Sequence, residues 1–388
     1  MLARGTRTMD TKVTPPEVDP PEPDEEQDDL DEAMPRVQIT RRRLVLGVLF
    51  VVAAVAFLYF VLPQLADLRE QSEQVGEGNR RWLGVAFVFT VASFGGYVMM
   101  FQGIFVRAGT SAGARIDWRA SYQITMAGLA ATRLFAAGGA GGIALTAWAL
   151  RRAGMPRRKV ADKTLAFLIL TYAVYMAALV ICGFGLYYDL LPGPGPFAIT
   201  LIPAVFALLA IAAALGLSRV PPDLQRRLEG FARRGGRLAR IAQRLSNAPA
   251  AFSAGMREAI VHLRQRDPAL LGAVGYWGFN IAVLWACFHA FGDPPPVAVV
   301  IMGYFVGFLG NLLPLPGGIG GVDGGMIGAF AAFGVPLPLV VPAVLTYRVF
   351  TFWLPTIPGA IAYFQLRRTV ARWRDERRRR DVAAPARA

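Results

Sequence analysis

Cysteine and histidine are nearly missing from this 388-residue chain, which has two of each. Cys182 and Cys287 stand alone in apolar runs. Without a Cys-x-x-Cys pair they form neither a disulfide framework nor a thiolate metal site, and they read as small core residues. His262 and His289 are isolated, so no metal site is predicted. No Gly-Lys-Ser or Gly-Lys-Thr follows the glycine clusters, which removes a nucleotide P-loop. Paired carboxylates and a Ser/His/Asp set are absent as well, so neither a cofactor nor an enzymatic activity is expected. Charge is also scarce: 18% of residues are charged against 54% hydrophobic, with a mean hydropathy of +0.41.

Long apolar runs take up what charge leaves free. Runs near 44–64, 82–106, 163–188, 196–218, 268–291 and 338–365 reach the ~20 residues that cross a ~30 Å hydrocarbon core. Continuous runs rather than short alternating strands exclude a porin-like barrel. Two further tracts, 120–150 and 297–336, are too long for one span and are interrupted by Gly, the second also by Pro.

The formal net charge of +14 is unevenly spread. Residues 1–40 hold 11 acids and 4 basic residues, and their Pro-rich acidic stretch predicts a disordered cytoplasmic tail, read as a solvated spacer. The Arg residues elsewhere lie beside apolar runs, so they read as topology signals and anionic-lipid contacts rather than a nucleic-acid surface. "RRR" at 41–43, the 107–119 loop, "RRAGMPRRK" at 151–159, the Arg-rich loop 219–267 and the basic tail 367–388 all belong inside. The loops at 65–81, 189–195 and 292–296 suit the outside. Each odd tract then enters and leaves by one face, and the two use opposite faces.

The predicted fold is an all-α polytopic membrane protein with six full spans plus two opposed re-entrant helical hairpins forming an inverted repeat. Its membrane domain covers 41–366 and both termini are cytoplasmic in an inner membrane. "GGAGG" (138–142) followed by "GMP" matches "GGIGG" (317–321) followed by "GVP" at nearly equal spacing. Close helix packing of the GxxxG kind is the other use for each cluster. Parts of 219–267 have apolar positions at near-helical spacing, consistent with an amphipathic helix on the inner leaflet.

Broken backbone at membrane depth survives only inside protein or beside an aqueous cavity. Half-helix N-termini there favour anions such as phosphate. Candidate substrate-binding residues are therefore Arg133, Gly138 and Gly139 in the first hairpin. In the second they are Asn311, Pro316, Gly317, Gly318, Gly320 and Asp323, with Tyr347 and Arg348 on the next span. An intramembrane ionisable residue is functional by default. Asp323 and Arg348 either form a structural pair, or Arg348 holds a lipid phosphate while Asp323 gates or carries a proton. Arg133 is the counterpart of these or snorkels to the inner face. Asn280, Asn311 and Tyr347 more commonly serve interhelical hydrogen bonds. Asp162 and Lys163 read as an exposed interfacial pair.

The segment "NLLPLPGGIGGVDGGMIGAFAAFGVPLPLVVPAVLTYRVFTFWLPTIPGAIAYF" (311–364) resembles the transmembrane region of the lysylphosphatidylglycerol synthase and flippase-like family, the UPF0104 group. The family pattern is Pro-x-Pro-Gly-Gly-x-Gly-x-x-Glu followed by a Tyr-Arg span ending in Trp-x-Pro. Asp323 stands where the family usually has Glu, and Ala144 aligns with it in the first hairpin. The resemblance implies movement of a lipid or lipid-linked head group between leaflets, without the soluble aminoacyl transferase that follows in two-domain members. The expected partners are membrane lipids with anionic or lipid-linked head groups. Lacking an ATP motif, transport would be passive or ion-coupled. The alternative is a non-transporting accessory protein for a cell-envelope glycosyltransferase or lipid-modifying enzyme.

Overall fold

A computed structural model describes residues 79–106, 116–134, 140–218, 255–256, 259–260, 268–312, 318 and 320–383. The acidic tail, the first predicted span (44–64) and nearly all of the 219–267 loop lie outside them. Among the described residues all regular structure is helical. In chain order the helices are α1 (Arg80–Phe101), α2 (Trp118–Leu134), α3 (Ala140–Arg152), α4 (Arg157–Tyr187) and α5 (Phe197–Ser218). They continue as α6 (Pro268–Phe291), α7 (Val297–Phe308), α8 (Gly321–Ala332), α9 (Leu337–Arg348) and α10 (Leu354–Ala383).

Among the described residues five stretches are long and apolar enough to cross a membrane: Arg80–Val106, Arg157–Tyr187, Phe197–Gly216, Pro268–Phe291 and Leu337–Glu376. They coincide with the five predicted spans that fall on described residues. At ~1.5 Å per residue the 27-residue first stretch is about 40 Å long, more than the hydrocarbon core requires. The last stretch runs further than its apolar run. The Arg-rich segment after residue 366 continues as helix to Ala383. It is anchored by buried Leu366, Val370 and Trp373, and Thr369 donates a 2.8 Å hydrogen bond to Gln123 of α2.

The two odd tracts each form a pair of shorter helices. In the second, a Cβ on Gly303 would meet the Phe330 ring, one on Gly307 would lie 2.5 Å from Met326 Cα, and one on Gly310 would collide with the Gly321 carbonyl. These contacts step inward together, so α7 and α8 are antiparallel arms converging on the segment between them. Only glycine permits so close an approach. In the first tract a Cβ on Gly142 would lie 2.5 Å from the Gly128 carbonyl oxygen, and one on Gly128 would lie 3.1 Å from Thr146 Oγ1. The arms α2 and α3 therefore close in the same way. At 17, 13, 12 and 12 residues, α2, α3, α7 and α8 are each shorter than a full span requires.

The packing order has an exchange symmetry. Helices α1 and α6, the spans that precede the two pairs, pack on each other. Helix α2 packs on α3 as α7 packs on α8, and α3 on α4 as α8 on α9. Helix α2 also packs on α10 as α7 packs on α4. Swapping the first four helices with α6–α10, with α9 and α10 counted as one span, leaves this pattern unchanged.

The core sits where α4, α6, α7, α8 and α9 meet, around Leu284, Phe288, Val299, Phe305, Met326 and Phe330, all fully or almost fully buried. Cys182 and Cys287 are buried core residues as expected. Asn280 donates to Ser93 Oγ of α1, and Ser93 in turn donates to the Tyr276 carbonyl at 3.1 Å. Asn280 thus makes the interhelical hydrogen bond assigned to it.

Candidate functional site

Asp323 is the third residue of α8 and is only 6% exposed. Its Oδ2 accepts the Gly320 backbone N–H at 2.9 Å, closing the first turn of the helix. Gly320 (φ +79°) and Gly318 (φ +66°) take left-handed conformations that side-chain-bearing residues rarely adopt. They turn the chain sharply into α8 and bring the Asp323 carboxylate to its first turn.

The other oxygen of Asp323, Oδ1, lies 2.5 Å from Nε of Arg348, the last residue of α9. The guanidinium carbon also sits 4.6 Å from the centroid of the Phe352 ring. A buried charge with an opposite charge and an aromatic face is held in both charge and shape. Of the two roles left open for the pair, the contact described by the structure is the ion pair. Its carboxylate also sits at the positive end of a helix dipole, where an anion is favoured.

Directly after Arg348 the helix widens into a π-turn, Val349–Trp353, before α10. Pro355 and Pro358 remove two backbone donors from this stretch. Nearby, Thr351 and Thr356 hydroxyls donate to the Tyr347 and Phe352 carbonyls at 2.8 and 2.6 Å. Threonine back-bonding of this sort is one way membrane helices accommodate proline. A π-turn inside a helix is uncommon and often marks a functional position.

The predicted site residues divide as follows. Asp323, Arg348, Gly320 and Gly318 come together at the start of α8. Asn311 joins them, since a Cβ on Gly318 would lie 2.8 Å from Asn311 Oδ1. Tyr347 is almost fully buried and donates its hydroxyl to Tyr304 of α7 at 3.1 Å, an interhelical bond that ties α9 to α7. Gly138, Gly139, Pro316 and Gly317 lie outside the described residues. Arg133 occupies the last turn of α2, and its side chain is not described. Contacts of Gln123 with Thr369, and of Met126 and Ala130 with Gly359, make α2 antiparallel to α10. That register sets the Arg133 backbone near Pro355, seven positions from Arg348, or about 10 Å along the helix.

One expectation requires correction. Lys163 is not an exposed interfacial residue: it is 5% exposed, and its ammonium donates to the Ile104 carbonyl. Ile104 belongs to a second π-turn, Gln102–Val106, at the end of α1. No local signal announces this burial, because Lys163 follows "RRK" and Asp162, a neighbourhood typical of an inner interface.

A wide apolar groove of about 630 Å³ lies between α1, α2 and α10. Phe87, Val91, Phe94, Trp118, Met126 and Pro355 are among its lining residues. From α2 it is lined by Trp118, Tyr122 and Met126 in the first half of the helix, and from α10 by Leu354, Pro355, Ile357 and Pro358.

Comparison with known proteins fits this architecture. The family described as the lysylphosphatidylglycerol synthase TM region matches residues 44–359. A UPF0104 membrane protein of Methanothermobacter thermautotrophicus is 35% identical over 112 residues, covering 29% of this chain and 32% of the relative. A further match to a UPF0104 membrane protein of that organism is 28% identical over 205 residues, covering 49% of this chain and 58% of the relative. The chain thus spans about a third of the length of the first relative and less than two thirds of the other.

Proposed function

The chain belongs to the family of the lysylphosphatidylglycerol synthase transmembrane region, and from that premise we propose that it is a translocase for a lipid or lipid-linked head group. The observation that carries the reading is the Asp323–Arg348 pair, buried at the start of a half-length helix. In this reading the phosphate of a lipid replaces the Asp323 carboxylate on Arg348. The carboxylate stays on the Gly320 N–H, and the Phe352 ring keeps the guanidinium in place. Exchange of one oxyanion for another leaves the arginine paired throughout, and the displaced carboxylate keeps the Gly320 N–H and the positive end of the α8 dipole, which offset part of its loss.

The antiparallel pairs α2–α3 and α7–α8 are the two opposed re-entrant hairpins of this scheme, giving six full spans when 44–64 is counted. The exchange symmetry of the packing supports an inverted repeat. The apolar groove between α1, α2 and α10 receives the lipid tail. Rocking of the two halves alternates access from an inner membrane with both termini cytoplasmic. The protein performs no covalent step, and its partners are membrane lipids.

The test is lipid translocation by purified protein in proteoliposomes, using a fluorescent phosphatidylglycerol whose outer-leaflet pool is quenched by dithionite. Wild type is expected to make the inner pool accessible, and Arg348→Ala to slow this at least tenfold. Translocation by Arg348→Ala at the wild-type rate would remove the pair from the site. A wild type that moves no lipid would favour the accessory-protein reading.

A further inference from the structure

The first hairpin encloses a second site with different chemistry. A cavity of about 80 Å³ lies among α1, α2, α3 and α4. Four threonines from three helices line it: Thr125 and Thr132 of α2, Thr146 of α3 and Thr164 of α4. Tyr97, Phe101, Phe105 and Phe167 line it as well, with Gly128 and Gly142 contributing bare backbone where the arms of the hairpin touch. One water needs only ~10–15 Å³ of such space, so the cavity has room for several polar atoms.

The hydroxyls are not equivalent. Thr125 and Thr132 donate to the Ser121 and Gly128 carbonyls at 2.6 and 3.0 Å, which leaves their oxygens to act as acceptors. Thr164 Oγ1 is buried and has no protein hydrogen-bond partner. A buried hydroxyl without a partner is destabilising, so its retention points to an outside group that completes it. No described lining residue carries a charge. Lys163, the neighbour of Thr164, directs its ammonium to the Ile104 carbonyl. The aromatic rings form a connected wall: Tyr97 to Phe167 at 5.3 Å, Phe167 to Phe105 at 5.9 Å and Phe105 to Phe101 at 4.6 Å.

Aromatic faces on one side and neutral hydroxyls on the other suit a ligand with C–H faces and several hydroxyls. A phosphate would find no cation among these residues. We propose that the cavity binds the neutral polyol portion of a lipid head group, with Thr164 as a direct hydrogen-bond partner. Assignment of that polyol to a transported lipid rests on the translocase reading, whereas binding itself does not. The polyol is supplied either by the terminal glycerol of a phosphatidylglycerol or by the sugar of a glycosyl diacylglycerol.

Equilibrium binding to the full chain, in a detergent without sugar such as an amine oxide, separates these. The probes are dioctanoyl phosphatidylglycerol, dioctanoyl glucosylglycerol and dioctanoyl phosphatidylmethanol, the last having the phosphate but no head-group hydroxyl. At least one hydroxylated probe is expected to bind at least fivefold tighter than phosphatidylmethanol, and the stronger one names the source. Thr164→Val is expected to lose about fivefold for that probe and nothing for phosphatidylmethanol, while Thr164→Ser keeps binding; loss of one hydrogen bond corresponds to such a factor. Thr164→Val removes an unpartnered buried hydroxyl, so its melting temperature should hold or rise, and Thr146→Val gives a second reading of the same cavity. Equal binding of all three probes, or unchanged binding by both valine variants, overturns the proposal. Binding that responds to Thr164 without any lipid movement in vesicles would keep this site and sink the translocase instead.

Discussion

Removing one member of the Asp323–Arg348 pair should cost far more than removing both. In Asp323→Ala the guanidinium of Arg348, a residue only 9% exposed, keeps the Phe352 ring but loses its counter-charge. The Gly320 N–H loses its 2.9 Å acceptor as well. A buried ion left alone costs roughly 3–5 kcal/mol, and an orphaned donor adds about 1–3 kcal/mol where no water reaches it. Asp323→Asn retains an oxygen for Gly320 and isolates the charge effect, at about 3–4 kcal/mol. Arg348→Met leaves the carboxylate on the Gly320 N–H at a helix N-terminus, which offsets part of its loss, so about 2–3 kcal/mol is expected. The double variant Asp323→Asn/Arg348→Met carries neither charge and should lose about 1–2 kcal/mol, because hydrophobic replacement of a whole buried pair is often close to neutral. The coupling energy is then at least about 3 kcal/mol. Equilibrium unfolding of the four proteins in mixed micelles, followed by tryptophan fluorescence, measures it. Additive single effects, or an Asp323→Asn variant as stable as wild type, would refute the reasoning.

Other consequences are simpler to state. Gly310→Val should fail to assemble the second hairpin, since a Cβ there meets the Gly321 carbonyl; overpacking costs about 1–3 kcal/mol and more against backbone. Gly84→Ala, with open space around it, should express and melt like wild type. Lys163→Met should lose about 1–3 kcal/mol by freeing the Ile104 carbonyl, measured by the same unfolding assay, while Lys159→Met, an exposed change, should lose under about 0.5 kcal/mol. Cys182→Ala/Cys287→Ala gives a background for membrane-impermeant maleimide labelling. In whole cells Asp189→Cys should label and Arg158→Cys should label only after lysis; the reverse pattern would invert the topology.

The spans were legible because an apolar window of ~20 residues rarely arises outside a membrane-crossing helix, and the two odd tracts were legible because Gly and Pro interrupt them. The Asp323–Arg348 contact was visible as a possibility, since two isolated charges on neighbouring apolar segments have few groups to pair with. What was not legible depends on the third dimension. Lys163 sits in a basic neighbourhood, and its burial follows from the π-turn at Ile104, which no local pattern marks. The four threonines are scattered over α2, α3 and α4 and look like ordinary mid-helix residues, two of them back-bonding within their own helix. They form a set only after the first hairpin closes on Gly128 and Gly142. The continuation of α10 to Ala383 was obscured by its arginines, which end a hydropathy window without ending a helix.

The most direct test of the translocase is movement of labelled phosphatidylglycerol across proteoliposomes containing the purified full chain. Dithionite should bleach about half of the label in empty vesicles and nearly all of it with wild-type protein, and Arg348→Ala should return the signal toward the empty-vesicle value. Bleaching that stops at the empty-vesicle level with folded wild-type protein, for phosphatidylglycerol and for a glycosyl diacylglycerol alike, would contradict the account.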